Sequence, residues 1–416
     1  MLQAIVLMFS LFLSIGVLAL GNGAAGTLLA LRISEAGFSS IAVGFISSGY
    51  FAGMIAGPFY AQRLITSIGY IRAFAAFGST FSAALLIHPF WVDPYAWTLL
   101  RTIEGVCMVG MYICAESWIN EKSTNEIRGQ VFSIYALLVM MMVSLGQLIL
   151  NVPDTTGLTL FVLVSVLASL AVVPIAITKV DAPPPPQLSK LDLRELWTIS
   201  PLAIVASLAT GAVQGAAYGL GPVYAKYLGL DVDAVTFFMF MLLGGAVVGM
   251  WPFGKLSDTI DRRIALLVVL TTVAISSAGL SLIQESGPTL YVLALCFGAA
   301  AWPLYSISSA HLNDHADSDQ RVRANAGLLV VYGIGAASGP LLAALFNSVL
   351  EKAGLFTFTL LVALITAMWT LWRMMQRESI SVEDQSAYAP MPRTSPMVVE
   401  LVPELMDEDA AEADQQ

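Results

Sequence analysis

Long apolar runs separated by short polar segments extend along almost the entire chain. Most of these runs are roughly 20 residues long, which is the length that a helix needs to cross a hydrocarbon core about 30 Å thick. The pattern predicts an all-α polytopic membrane protein with twelve transmembrane helices. The predicted spans are approximately 4–31, 40–62, 70–90, 94–119, 129–151, 156–178, 200–227, 233–254, 263–284, 288–311, 322–348 and 354–376.

A proline-rich segment divides these spans into two groups of six. The sequence DAPPPPQLSKLDLRELWTI occupies residues 181–199, and because consecutive prolines cannot continue a helix, we expect it to be a cytoplasmic linker. The predicted domains are an N-terminal six-helix bundle at 1–180 and a C-terminal six-helix bundle at 200–377.

The two halves of the chain repeat one another. A shift of 192 residues places Asn22 over Gln214, and a shift of 193 places Gly105 over Gly298. Further pairs at these offsets are Gly37 with Gly229, Gly53 with Gly245 and Gly146 with Gly339. Two parallel repeats of six spans are typical of proteins whose halves rock about a central site.

Charged residues are rare in the body of the chain and concentrated at its end. Only 12% of the residues are charged, against about 25% in soluble proteins. Most of the net charge of −10 lies in residues 378–416, which hold ten acidic residues and one base, Arg393. This segment lacks helical periodicity, so it is predicted to be a disordered acidic cytoplasmic tail. A solubilising role is the simpler interpretation, and a regulatory contact is the alternative.

The distribution of lysine and arginine predicts the orientation in the membrane. With the N-terminus inside, fourteen Lys and Arg residues lie in cytoplasmic segments and three lie outside, as the positive-inside rule requires. Both termini are therefore expected in the cytoplasm, and the protein in the inner membrane of a bacterium.

The segment GKLSDTIDRR, which begins at Gly254, concentrates five charges between two apolar runs. It resembles the cytoplasmic signature Gly-x-Leu-x-Asp-x-x-Gly-Arg-Arg of major facilitator superfamily (MFS) transporters, with Asp261 in place of a glycine. Aspartate tolerates the left-handed backbone better than most residues, so we expect a tight turn to be kept. We interpret Gly254, Asp258, Arg262 and Arg263 as a structural and gating loop, in which Asp258 caps the next helix or pairs with a cation.

Two further motifs extend the resemblance over residues 1 to about 377. RTIEG, beginning at Arg101, resembles the Arg-x-x-x-Gly motif of proton-coupled MFS members. CAESWIN, beginning at Cys114, together with Arg128, resembles the YcaD-like branch. The resemblance implies twelve helices in two pseudo-symmetric bundles and transport by alternating access. The first-half copy of the gating signature has Thr66 in place of the acid, which puts the latch usual in this family in doubt.

Arg101 and Glu104 are predicted to lie roughly 10 and 15 Å below the outer end of the fourth span, on one helix face. An ionisable residue at the centre of a membrane helix costs at least about 2.5–3.5 kcal/mol, so this pair is expected to face the protein interior or a wet cavity. We expect Glu104 to carry a proton while Arg101 stabilises its charged state. A permanent structural pair is the alternative. Glu116, nearer the cytoplasmic end, is assigned to the gating region and expected to pair with Arg72 or Arg128, and a role in coupling is the alternative.

Polar and aromatic residues near the middle of the spans are the substrate-binding candidates. Asn22 and Gln214 occupy equivalent positions in spans 1 and 7, where two amides are able either to bind one ligand or to join helices. The aromatic candidates are Tyr50, Tyr135, Tyr218, Trp302 and Tyr305. Packing is the alternative for these rings, and His88 is expected at the membrane interface without metal ligands.

The sequence has no Walker-type nucleotide loop and no paired catalytic carboxylates in a loop. Enzymatic activity, cofactors, metals and nucleic-acid partners are therefore not expected. We expect a monomeric secondary transporter that moves a small organic solute across the bilayer by alternating access, coupled to protons. An uncoupled facilitator, or a receptor or scaffold that does not transport, is the alternative. The solute itself is not predicted, because this fold carries many substrates.

Overall fold

Long helices make up most of the chain in the computed structural model, which describes residues 2–123, 128–153, 157–177, 183, 193–376, 379–386, 388–391 and 393–395. The α-helices are α1 (Leu2–Glu35), α2 (Ser40–Ile68), α3 (Tyr70–Ile87), α4 (Pro94–Lys122), α5 (Arg128–Gly146), α6 (Thr159–Ala176), α7 (Leu193–Ile199), α8 (Pro201–Tyr227), α9 (Val232–Thr259), α10 (Arg262–Leu282), α11 (Pro288–Ala301), α12 (Pro303–Asn313), α13 (Ser318–Leu350) and α14 (Gly354–Gln376).

The prediction of an all-α fold with twelve spans is confirmed, with one interruption. Helices α1–α6 form the first half and α8–α14 form the second, in which α11 and α12 together make the tenth span. The break falls at Trp302 because Pro303 has no N–H group to donate back to the preceding turn. The short helix α7 lies within the segment predicted as a linker, whereas residues 184–192 of that segment lie outside the described residues.

Local sequence explains where the helices begin. Asp93, Ser200 and Asp231 are in extended conformations and their side chains accept backbone N–H groups in the first turns of α4, α8 and α9. Gly37 and Gly229 end the first span of each half with φ angles of 71° and 78°, a left-handed backbone that suits glycine. The two glycines are one repeat offset apart, so the same turn occurs in both halves.

Glycines hold the same helix pairs together in the two halves. A Cβ atom at Gly53 of α2 would lie 2.1 Å from the carbonyl oxygen of Thr102 in α4. Its repeat partner Gly245 of α9 shows the same close approach, with 2.4 Å to the carbonyl oxygen of Leu295 in α11. Because the backbones touch at these points, each pair packs as a closely joined unit.

Helix α1 begins and α14 ends at one face of the bundle, which we call the terminal face and which the sequence predicts to be cytoplasmic. The two halves meet at the opposite face. At the opposite face the hydroxyls of Ser40 and Tyr227 hydrogen-bond at 3.0 Å, and Thr236 donates to the Oδ1 atom of Asn151 at 2.5 Å. Helix α2 also packs against α13, where Gly44 lies against Pro340 and Ala344. The cavity between the halves is therefore closed on this side.

The segment predicted as a gating loop is mostly helical. Helix α9 continues to Thr259 and α10 starts at Arg262, so only two residues connect them. Asp261 has φ −53°, which is not the left-handed conformation expected for it, and its carboxylate caps α10 by accepting the N–H of Arg263 at 2.9 Å. The cap is therefore made by Asp261, and Asp258 takes the alternative role of pairing with Arg262 at 3.6 Å.

The described part of the C-terminal segment lies against the helices. Met391 is 1% exposed and its backbone N–H donates to the Oγ atom of Ser306 in α12 at 3.0 Å. The expectation of a disordered tail from residue 378 onwards thus differs from the structure in the described residues between 379 and 395. Composition alone misses this because the contacts are with the bundle rather than within the segment. Residues 396–416, which hold most of the acids, lie outside the described residues.

Candidate functional site

A cavity of about 140 Å³ lies between the two halves, midway along the spans. Both halves contribute aromatic, aliphatic and amide side chains to its wall, and the C-terminal segment contributes two residues. The lining residues are Asn22, Tyr50, Phe51, Met54, Tyr112, Val139, Met140, Val143, Gln214, Tyr218, Leu243, Ala246, Trp302, Tyr332, Arg393 and Thr394. A mostly apolar wall with a few polar groups is the usual composition of a small-molecule site.

Equivalent amides from the two halves lie on this cavity and are held by tyrosines. Asn22 accepts a hydrogen bond from the Tyr50 hydroxyl at its Oδ1 atom, at 3.1 Å. Gln214 accepts from the Tyr332 hydroxyl at 2.9 Å and donates to the carbonyl oxygen of Ala301 at 2.7 Å. The hydroxyl of Tyr218 crosses between the halves and donates to the Asn22 carbonyl oxygen at 2.9 Å. The amides are thus oriented before a ligand arrives.

A buried ion pair lies directly behind the cavity wall. Arg101 donates to the Oε2 atom of Glu104 at 2.7 Å, and the two side chains are 5% and 0% exposed. The Arg101 guanidinium also stacks on the ring of Tyr50, 4.2 Å from its centroid. The cavity-lining Tyr50 is therefore in direct contact with the charged pair, and it also binds Asn22.

His88 approaches the other side of Glu104. Its Nδ1 atom lies 3.4 Å from the Oε1 atom of Glu104 and 2.9 Å from the Ala84 carbonyl oxygen. The Nε2 atom of His88 and the Oε1 atom of Glu104 make no hydrogen bond in the structure, although both are buried. The sequence predicts this histidine at the membrane interface, but the ring is fully buried against Trp97 at a centroid distance of 5.3 Å.

A second buried carboxylate, Glu116, lies about 18 Å from Glu104 along α4. It accepts hydrogen bonds from the hydroxyls of Tyr135, Thr394 and Ser395. The expected ion pair with Arg72 is not among those of the described residues, and the side chain of Arg128 lies outside the described part. Glu116 is therefore a buried group on the terminal side of the cavity rather than part of a surface loop.

Arg393 of the C-terminal segment reaches the cavity. Its Nη1 atom donates to the carbonyl oxygen of Trp302 at 2.9 Å. The guanidinium carbon lies 5.8 Å from the ring centroid of Tyr305 and 5.6 Å from that of Tyr332, within the range of cation–π attraction. The next residue, Thr394, also contacts the Tyr135 hydroxyl at 3.1 Å.

An ion pair anchors the same segment at the terminal face. Arg262 donates from Nε to Asp314 at 2.6 Å, with side-chain exposures of 1% and 2%, and also donates to the carbonyl oxygen of Ser386. The other oxygen of Asp314 accepts the N–H of Ser386 at 2.8 Å. Tyr388 donates its N–H to Asp258 at 2.9 Å, and burial raises the pKa of Tyr388 to about 12, so its phenol is neutral at physiological pH.

Comparison with known proteins decides the family. The sequence profile of the Major Facilitator Superfamily matches residues 11–303 and 245–397 of the chain. The chain belongs to the Major Facilitator Superfamily. It is therefore a multi-pass membrane transporter, in agreement with its helical fold.

Two relatives place this MFS protein in the YcaD-like branch, as the CAESWIN motif predicted. The uncharacterized MFS-type transporter YcaD of Escherichia fergusonii is 26% identical over 325 residues, which cover 78% of this chain and 84% of YcaD. The uncharacterized MFS-type transporter YE1530 of Yersinia enterocolitica is 27% identical over 348 residues, covering 83% and 90%.

A solved transporter structure has the same fold. It is a bacterial homolog of the human lysosomal transporter Spinster in an inward-facing, unoccupied conformation, with a TM-score of 0.75 and 15% identity. The match covers 91% of this chain and 99% of that protein. At this identity the likeness supports the fold alone.

In this MFS bundle, the predicted substrate-binding residues separate into two groups. Asn22, Gln214, Tyr50, Tyr218 and Trp302 line the cavity. Tyr135 and Tyr305 lie beside it, where Tyr135 binds Glu116 and Tyr305 packs under Arg393.

Several residues of the site are not among the candidates predicted from the sequence, namely Tyr112, Tyr332, His88 and Arg393. Among them, Arg393 alone carried a signal, as the one base in an acidic segment. Among the described residues, His, Cys, Asp and Glu side chains form no group placed to hold a metal ion.

Proposed function

We propose that this MFS protein is a secondary active transporter of a small organic solute, working by alternating access and coupled to protons through Glu104 and Arg101. The observation that carries the proposal is the contact between the cavity wall and the buried pair. Tyr50 binds Asn22 on one side and stacks on Arg101 on the other, so a solute that moves Tyr50 also acts on the partner of Glu104.

The chemistry of the pair suits a proton carrier. Glu104 is fully buried, and Arg101 is its one charged hydrogen-bond donor among the described residues. A buried carboxylate that loses its cation is strongly disfavoured unless it takes up a proton. In this proposal the solute displaces Tyr50, Arg101 moves with that ring away from Glu104, Glu104 binds a proton, and the return of Arg101 releases it.

The closed opposite face supports alternating access. The halves meet there through side-chain hydrogen bonds, including Ser40 with Tyr227, while each half is held internally by touching backbones at glycines such as Gly53 and Gly245. A rocking motion needs two rigid halves whose contact with each other can break, and hydrogen bonds between polar side chains form such a contact.

The test uses proteoliposomes with a pH-sensitive dye inside, screened against pools of metabolites and amphipathic compounds. A solute that moves protons with the wild-type protein should fail to do so with Glu104→Gln. Glu35→Gln is the matched control, because Glu35 pairs with Arg32 at 2.8 Å at the same i,i+3 spacing but is 51% exposed.

Equal solute movement by wild type and Glu104→Gln, with no pH signal in either, would mean that the proton-coupling proposal is wrong. The protein would then be an uncoupled facilitator, and Arg101–Glu104 a structural pair. Loss of the pH signal in Glu35→Gln as well would also count against a specific role for Glu104.

A further inference from the structure

The described C-terminal residues 388–391 and 393–395, which we call the tail insert, run from the terminal face into the central cavity. Tyr388 lies at the mouth, where a Cβ atom at Gly254 would be 2.5 Å from its ring. Met391 is 1% exposed, and Arg393 and Thr394 line the cavity itself. The described residues of the insert therefore trace a path from the surface to the candidate site.

The cavity holds the guanidinium of the insert as it would hold a ligand. Arg393 is bound by the carbonyl oxygen of Trp302 at 2.9 Å and by the rings of Tyr305 and Tyr332 at 5.8 and 5.6 Å. A carbonyl oxygen and two π faces present negative potential to one point, which is the usual environment for an organic cation.

The same insert also contacts a buried carboxyl group, Glu116, through the two residues that follow Arg393. Glu116 is fully buried and accepts hydrogen bonds from Thr394 and Ser395 of the insert and from Tyr135 of the bundle. When the insert leaves, Tyr135 remains as the one hydrogen-bond donor to this carboxylate among the described residues. A buried carboxylate with so little compensation takes up either a proton or a cationic occupant. Arg101 does not compensate Glu116, because it is already paired with Glu104.

We infer that the central cavity is a binding site for a monovalent organic cation, and that the tail insert occupies this site as an intramolecular competitor. The inference rests on the proposed transport function and names its class of substrate. The cation binds between Trp302, Tyr305 and Tyr332, near Glu116. Because the competitor is part of the same chain, binding of the cation requires the insert to withdraw, and the apparent affinity is reduced by the fraction of time that the insert is bound.

The experiment measures equilibrium binding to the purified full-length protein in detergent, with benzylguanidine as the cationic probe and benzylurea as its neutral isostere. Arg393→Gln should tighten benzylguanidine binding about tenfold, because it weakens the competitor. Arg63→Gln is the matched control, since it removes an arginine from the exposed end of α2 near the same face. Benzylurea should bind at least about tenfold more weakly, the size of effect expected when one charged contact is lost.

Glu116 is tested in the Arg393→Gln background, so that release of the insert does not mask the loss of the carboxylate. Glu116→Gln should there remove the preference for benzylguanidine over benzylurea. Equal binding of the two probes, no binding even to Arg393→Gln, or the same affinity for Arg393→Gln and Arg63→Gln would each overturn the inference. This assay measures equilibrium binding and does not depend on proton movement. A negative result would therefore refute the cation site without bearing on the proton coupling that the proteoliposome test measures.

A second experiment uses an engineered disulfide to hold the insert in the cavity. The N–H of Met391 lies 3.0 Å from the Oγ atom of Ser306, so cysteines at these two positions are expected to be close enough to form a disulfide. Oxidation of the paired-cysteine protein should abolish benzylguanidine binding, and reduction should restore it. Unchanged binding after complete cross-linking would overturn the competitor role.

Discussion

Gly105 is the point where α4, which carries Arg101 and Glu104, touches α2. A Cβ atom at Gly105 would lie 2.0 Å from the carbonyl oxygen of Tyr50 and 3.0 Å from the backbone nitrogen of Met54. Both neighbours are helix backbone and cannot rotate away as a side chain would. Gly105→Ala therefore has to separate the two helices.

The size of the effect follows from this distance. Close carbon–oxygen contacts in proteins are about 3.3–3.6 Å, so α2 and α4 must move apart by about 1.3 Å or more. Overpacking of a well-packed interior typically lowers the free energy of unfolding by about 1–3 kcal/mol. The same movement separates Tyr50 from Arg101, whose stacking distance is 4.2 Å, so proton coupling should weaken together with stability.

Thermal unfolding of the purified protein in detergent measures the first effect, and the dye-loaded proteoliposomes measure the second. Gly287→Ala is the matched control, because no atom lies within 4 Å of a Cβ atom there and φ is −177°. We expect the Tm of Gly105→Ala to fall by several degrees and that of Gly287→Ala to stay near the wild-type value. If the two variants unfold at the same temperature, the close approach of α2 and α4 is refuted.

Two further predictions concern the faces of the bundle. Arg262→Gln leaves the buried carboxylate of Asp314 without its cation, which lies at 2.6 Å, so the free energy of unfolding measured by chemical denaturation should fall by about 3–5 kcal/mol, and Asp314→Asn should partly recover it. Cysteines at Asn151 and Thr236, whose side chains hydrogen-bond at 2.5 Å across the halves, should stop transport when oxidised and restore it when reduced. Transport by the oxidised protein would contradict alternating access.

The positions of the helices are predictable from the sequence because each span has to be long enough to cross the membrane. The predicted span 354–376 coincides with α14, and the ends of other spans moved by a few residues where caps decide them. Helix α9 shows the limit of this reasoning. It extends through the charged residues Lys255 and Asp258 to Thr259, since a helix can continue beyond the apolar core when its polar end finds partners.

The internal sequence repeat predicts some residues of the candidate site. The other residues reach the site through tertiary contacts, which the sequence does not show. Asn22 and Gln214 were selected because the two halves align, and both lie on the cavity. His88 lacked such a signal, because nothing in its local sequence indicates that its ring turns inward to Glu104. The prediction of a disordered C-terminal segment rests on composition. Composition carries no information on long-range contacts such as that of Arg393 with Tyr332, more than 60 residues away.

The break at Trp302 gives the two halves different kinds of binding group. Span 4 is one continuous helix that presents charged side chains, whereas span 10 is interrupted and presents the backbone carbonyl oxygens of Ala301 and Trp302 to Gln214 and Arg393. A substitution at position 301 or 302 changes the side chain and keeps the carbonyl. These two acceptors are thus insensitive to most point mutations, so evolution of a new ligand preference has to act through the aromatic side chains around them.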